Sequence, residues 1–316
     1  MKKFYFLILI CFSVLIVSCD SFNRGIAAAG YNTSGLKKYN AGDYKGAIAD
    51  YDKAIQMHAA FAEAYNNRGL AEYYLGEYTL AMADYNKAIE LKPDLSVAYS
   101  NRGQNYDAIG KYTEAIADYS TALKMSPNDA DTYNDRGVSE FNLGHDTLAL
   151  KDYDKAIELK PELYNGFLNR GYLKYMRKDY KNAIKDYEQC IELSPNYAVA
   201  FNDKGLAEYD GGDTDKALAD YNKAISLKAD LYAAYNNRGS IEYYRHEYKL
   251  AKDDFSKTIA IDSTFVQAYT NRAACEDALG ETENADHDYN RVKDITAVKD
   301  SAKTSTTDTA SKNNTN

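Results

Sequence analysis

An arginine, an asparagine and an aspartate recur through this chain at one fixed interval, and each could do chemistry. Arg68, Arg102, Arg136, Arg170, Lys204, Arg238 and Arg272 follow one another every 34 residues. Asp50, Asp84, Asp118, Asp152, Asp186, Asp220, Asp254 and Asp288 keep the same interval. Reading these carboxylates as catalytic acids and bases would make eight active sites of one periodic feature. A cation and an acid that repeat together suit an ion-pair ladder instead, which fixes register more surely than it adds net stability. The first copy has Ser34 in the cation's place but keeps Asp50. Pairing each aspartate with the cation of the following copy leaves only Asp288 without a partner. The expectation is therefore Asp84 with Arg102 rather than with Arg68.

Elements with the same interval must position these residues. Cuts at 28, 62, 96, 130, 164, 198, 232 and 266 give eight 34-residue units with no insertion. In residues 62–95, two stretches of helical spacing flank "LGEY". They predict helix A from Ala62 to Leu75 and helix B from Thr79 to Lys92. Gly76 suits the left-handed residue that ends a helix, and Pro93 stops the next one. All four prolines, Pro93, Pro127, Pro161 and Pro195, share that column. Asp94, Asn128 and Asn196 follow it as expected N-caps.

Each unit also has Tyr or Phe early in helix A (Tyr31 to Tyr269), a small residue in the Gly69 column, Ala in the Ala81 column and an aromatic in the Tyr85 column. This pattern over 28–299 resembles the tetratricopeptide repeat (TPR) family. The resemblance implies an all-α fold: a right-handed α-α superhelix, or solenoid, of eight helix-turn-helix repeats with a concave inner face. Gly69 and Ala81 would let helices A and B approach closely, with aromatics filling the gaps between hairpins. The periodic arginine stands where the family usually has Leu.

Two columns are candidate sites for an extended peptide. The first is Asn67, Asn101, Asn169, Asn237 and Asn271, interrupted by Asp135 and Asp203. Elsewhere in the family, an asparagine here holds a peptide by its backbone. A carboxamide can both donate to and accept from a peptide unit, but it can equally brace a neighbouring helix. The second is Tyr39, Tyr73, Phe141, Tyr175, Tyr209 and Tyr243, broken by Asp107 and Asp277. Aromatics beside amides suit protein segments; packing against the opposite wall is the alternative. The lysines with which some family members clamp chaperone C-termini are absent, with Asn66, Ser100, Asn134 and Leu168 in their places.

Composition narrows the function classes. The net charge is -9, so the basic footprint of a nucleic-acid binder is missing. The four histidines do not fall at metal-ligand spacing, and no phosphate loop or nucleophile elbow is present. No cofactor, metal or enzymatic activity is expected. The first residues, "MKKFYFLILICFSVLIVSC", read as a basic start, an apolar run too short to span a bilayer, and a segment that resembles a lipobox. The reading is a signal peptide over 1–18, lipidation at Cys19 and a tether over 19–27. Cys190 and Cys275 read as small core residues without a disulfide. Polar helix-B residues suit unit eight as a capping repeat, and 300–316 reads as a disordered tail. The expected protein is a lipid-anchored scaffold of the bacterial envelope, in the outer membrane or facing the periplasm, that binds protein or peptide segments in its groove. A small-ligand or glycan receptor is the alternative, which the absence of tryptophan disfavours.

Overall fold

The computed structural model describes residues 23–312, all of whose regular structure is helical. The expected signal peptide and Cys19 lie outside the described residues. The helices are α1 (23–40), α2 (Tyr44–Met57), α3 (Ala62–Tyr74), α4 (Tyr78–Leu91), α5 (Ser96–Ala108), α6 (Tyr112–Met125), α7 (Ala130–Asn142) and α8 (Asp146–Leu159). They continue as α9 (Tyr164–Met176), α10 (Tyr180–Leu193), α11 (Ala198–Asp210), α12 (Thr214–Leu227), α13 (Tyr232–Tyr244), α14 (Tyr248–Ile261), α15 (Val266–Leu279) and α16 (Thr282–Lys312). Odd-numbered helices are the A helices and even-numbered ones the B helices, and from α2 to α15 they lie within a residue or two of the expected bounds. The helices form two compact units that divide after Pro161.

The first unit holds α1–α8. α4, α6 and α8 each pack against their own A helix, and α2, α4 and α6 against the A helix of the next hairpin. Neighbouring A helices also touch (α3 with α5, α5 with α7), whereas no such contact joins neighbouring B helices among the described residues. That asymmetry puts the A helices on the inner side. The second unit, α9–α16, repeats the arrangement, with α9, α11, α13 and α15 in contact along its inner side.

Why these residues give this packing is plain at Gly69. A Cβ there would lie 2.9 Å from the Tyr85 ring and 3.2 Å from the Ala81 carbonyl oxygen. The glycine lets the ring lie flat between the two helices of one hairpin. Tyr85, Ala81 and Ala88 are wholly buried. One unit earlier, the Tyr51 ring also packs on Ala71 of the next hairpin. A single hairpin cannot bury this aromatic by itself, so stability resides in stacking. Cys190 and Cys275 are buried free thiols, each pushed up to about 12 by burial.

Three local features depart from the sequence reading. The A helices are capped one residue later than expected: Leu95 and Asp129 are the N-caps, not Asp94 and Asn128. Tyr197 likewise replaces Asn196. The proline and its successor occupy a turn, so the chain enters the helix only after them; Asp129 makes a side-chain cap, to the Thr132 amide. α16 runs on to Lys312, through residues composed like a disordered tail. Neither glycine nor proline interrupts it. The Gly76 column is left-handed as expected, but Lys178 and His246 adopt φ 62° there without being glycine.

Candidate protein-interaction face

The periodic arginine ties together the hairpins that carry the candidate face. Arg68 donates from Nε to Asp84 Oδ2 (2.6 Å) and from Nη2 to Asp84 Oδ1 (2.7 Å). Its remaining amino group, Nη1, donates to Asp52 on the preceding hairpin (2.6 Å). Arg102 repeats this with Asp118 (2.7 and 2.8 Å) and Asn86 (2.6 Å), and Arg238 with Asp254 and Asn222. The carboxylate partner is thus in the same unit, which overturns the expected pairing of Asp84 with Arg102. The cause is close helix approach over the glycine, which places residues sixteen apart face to face. Asp50 is not orphaned either: Ser34 Oγ and Lys38 Nζ each approach it at 2.7 Å. Those bonds, Lys38 first, hold its carboxyl below the usual range. Each guanidinium also sits over the aromatic three residues earlier, 5.5 Å from the Tyr65 centroid for Arg68. The clasp therefore joins hairpin to hairpin through the guanidinium's fork.

A further column went unnoticed in the sequence. Glu72, Glu208, Glu242 and Glu276 lie one turn after the arginine column, and each leaves its Oε2 buried without a hydrogen-bond partner. Burial pushes the Glu72 carboxyl up to about 8, helped by the nearby Asp84 charge. Burial also raises Glu208 and Glu242 to about 7. Lysine occupies the same column at Lys38 and Lys174, where it pairs directly with Asp50 (2.7 Å) and Asp186 (2.6 Å). The 34-residue register could have exposed this alternation, but only the structure shows that the position is dry.

Four of the candidate asparagines each bond to an asparagine of the preceding hairpin, one column earlier. Asn101 Nδ2 donates to Asn66 Oδ1 of the preceding hairpin (2.9 Å), Asn67 to Asn32 (3.1 Å), Asn237 to Asn202 (3.0 Å) and Asn271 to Asn236 (3.3 Å). Asn101 is buried, while Asn67, Asn169, Asn237 and Asn271 are half-buried. Sequence reading marks the partner column, from Asn32 to Asn236, only as lacking clamp lysines, not as the partner of the candidate asparagines. Asp135 and Asp203 accept from Asn134 (3.3 Å) and Asn202 (3.0 Å). Burial pushes both carboxyls up to about 6.

The candidate aromatics are half-buried and pack on the first tyrosine of their own B helix. Tyr39 meets Tyr44, Tyr73 meets Tyr78, Tyr175 meets Tyr180 and Tyr243 meets Tyr248, with centroids 5.5–5.8 Å apart. Phe141 and Tyr209 are half-buried as well. The next residue along is the exposed one: Tyr74 at 53% and Tyr244 at 70%. In the second unit, Ser240, Tyr243, Tyr244, Phe255, Asn271 and Ala274 line a cleft of about 110 Å³. One amide and one aromatic from the two candidate columns, Asn271 and Tyr243, therefore meet. Among the described residues no group of His, Cys, Asp and Glu is placed to hold a metal ion, and no helix is long and apolar enough to cross a membrane.

Stacked helix hairpins whose inner helices present amides and aromatics define a repeat scaffold. Family models for the tetratricopeptide repeat match residues 62–95, 164–197 and 130–163, and a TPR repeat model matches 35–73, 103–144 and 205–243. These matches cover more than half of the chain, which belongs to the tetratricopeptide repeat family. A tetratricopeptide repeat protein from Parabacteroides merdae is 20% identical, with TM-score 0.60 over 83% of this chain and 99% of its own. PilF of Pseudomonas aeruginosa is 18% identical, with TM-score 0.61 over 71% and 99%. The APC/C hetero-tetramer Cut9–Hcn1 is 15% identical, with TM-score 0.68 over 78% of this chain and 48% of that one. At these identities the likeness shows the fold: an all-α repeat superhelix. No curated protein matches the sequence.

Proposed function

We propose that this protein is an adaptor, tethered to the bacterial envelope through lipid on Cys19, that holds protein or peptide segments on its inner helices. The observation that carries the reading is the set of large apolar side chains exposed on those helices: Tyr74 in the first unit, and Tyr172, Met176 and Tyr244 in the second. Large rings left in water beside half-buried amides are what a protein-binding surface presents before its partner arrives. The asparagines brace the inner face by bonding to each other, and their half-exposed amides lie at its floor. The tether rests on the lipobox-like "IVSC" and the apolar run before it.

The test is in-cell crosslinking followed by purification, comparing wild type with Tyr74→Ala/Tyr172→Ala/Tyr244→Ala. These side chains are exposed, so the variant should keep its circular dichroism and lose a crosslinked protein that wild type captures. Identical crosslinked proteins from both would refute groove binding. Mass spectrometry of the native N-terminus should find Cys19 as the first residue carrying acyl chains; an unprocessed or unacylated N-terminus would refute the anchor.

A further inference from the structure

The inner face of the second unit points to the charge of its partner. The cleft and the asparagine ladder show that residues such as Asn202, Asn271, Ser240, Tyr243 and Tyr244 share that face. In repeat register these are the fifth, sixth, ninth, twelfth and thirteenth positions of an A helix. No lysine or arginine occupies any of them in α9, α11, α13 or α15, although the chain has 38 such residues. Acids do occupy them: Asp203, Asp210 and Asp277. Asp210 and Asp277 are exposed, and each accepts a tyrosine hydroxyl, from Tyr175 and Tyr289 (2.8 and 2.9 Å). Two cations beside this face are bound to acids elsewhere. Lys174 binds Asp186 (2.6 Å) and Arg245 binds Asp215 (2.6 Å).

Resting on the groove reading, we infer that the partner is an extended polypeptide segment carrying Lys or Arg, held by Asp210 and Asp277 and by the exposed faces of Tyr172 and Tyr244. Two features point independently to a cation. The face excludes positive side chains, so an approaching cation meets attraction and no like charge. Exposed tyrosine rings bind ammonium and guanidinium groups through their π faces. The protein uses the second contact internally, with Arg238 5.7 Å from the Tyr235 centroid. Segments rich in Asp or Glu, and nucleic acid, would be repelled.

Fluorescence anisotropy of the full chain with three labelled dodecapeptides tests this: (Leu-Lys-Ser)4, its Lys→Gln form and its Lys→Glu form. The lysine peptide should bind at least tenfold more tightly than the glutamine peptide, and the glutamate peptide should be weakest. Asp210→Asn/Asp277→Asn should weaken the lysine peptide at least fivefold, while Asp253→Asn, an exposed acid on α14, should leave it unchanged. If the glutamine peptide binds equally well and Tyr244→Ala abolishes that binding, the cation preference is refuted and groove binding stands. If no peptide binds, both are refuted.

Discussion

The buried glutamates make a pH-dependent prediction that can be worked from the structure. Glu72 has one carboxylate oxygen without a partner, in a site dry enough to raise its carboxyl from 4.5 to about 8. A raised folded-state value favours the proton, so its stabilising share is complete below about pH 4.5 and is lost as the pH climbs through 8. Between pH 5.5 and pH 8 that loss is of order 3 kcal/mol, at about 1.36 kcal/mol for each unit. Replacing Glu72 by Gln keeps the shape and removes the ionisation, while Arg68 keeps Asp84 and Asp52. Wild type should therefore resist urea better at pH 5.5 than at pH 8. Glu72→Gln should stabilise the protein by about 3 kcal/mol more at pH 8 than at pH 5.5. Acids with lowered values, such as Asp50, lose their contribution only at more acidic pH and do not confuse this window. Equal stabilisation by Glu72→Gln at both pH values, or none at pH 8, would show that the site is wet and refute the reasoning.

Four further predictions concern the scaffold. Arg102→Leu installs the family's usual residue but leaves Asp118 buried and unpaired. It should cost about 3–5 kcal/mol in chemical denaturation, most of which Asp118→Leu in the same chain should restore. Tyr85→Phe should be neutral or stabilising by up to about 1 kcal/mol, because the Tyr85 hydroxyl is buried without a partner and Phe255 fills the same column natively. Tyr119→Phe should instead lose about 1 kcal/mol, because that hydroxyl donates to Asp107 at 2.8 Å. Lys178→Gly should raise the thermal midpoint of unfolding, with a gain of about 0.5–1 kcal/mol. Glycine removes the left-handed strain at φ 62°, less its extra entropy in the unfolded chain.

By itself the sequence determined the hairpins, their register and their family, because those depend on residue size and local backbone preference repeated every 34 residues. Glycine at Gly69, alanine at Ala81 and tyrosine at Tyr85 admit one close helix pair, and any copy suffices to read it. The asparagine and aromatic columns were legible as columns for the same reason. Tertiary structure decided what those columns do. The choice between Arg68 and Arg102 as the partner of Asp84 depends on which helix faces lie within about 3 Å, a distance that periodicity leaves open because both pairings repeat equally well. The asparagines' partners and the dryness around Glu72 likewise follow from how far one hairpin rotates over the next. That rotation is set by packing along the whole contact rather than by any residue's own preference.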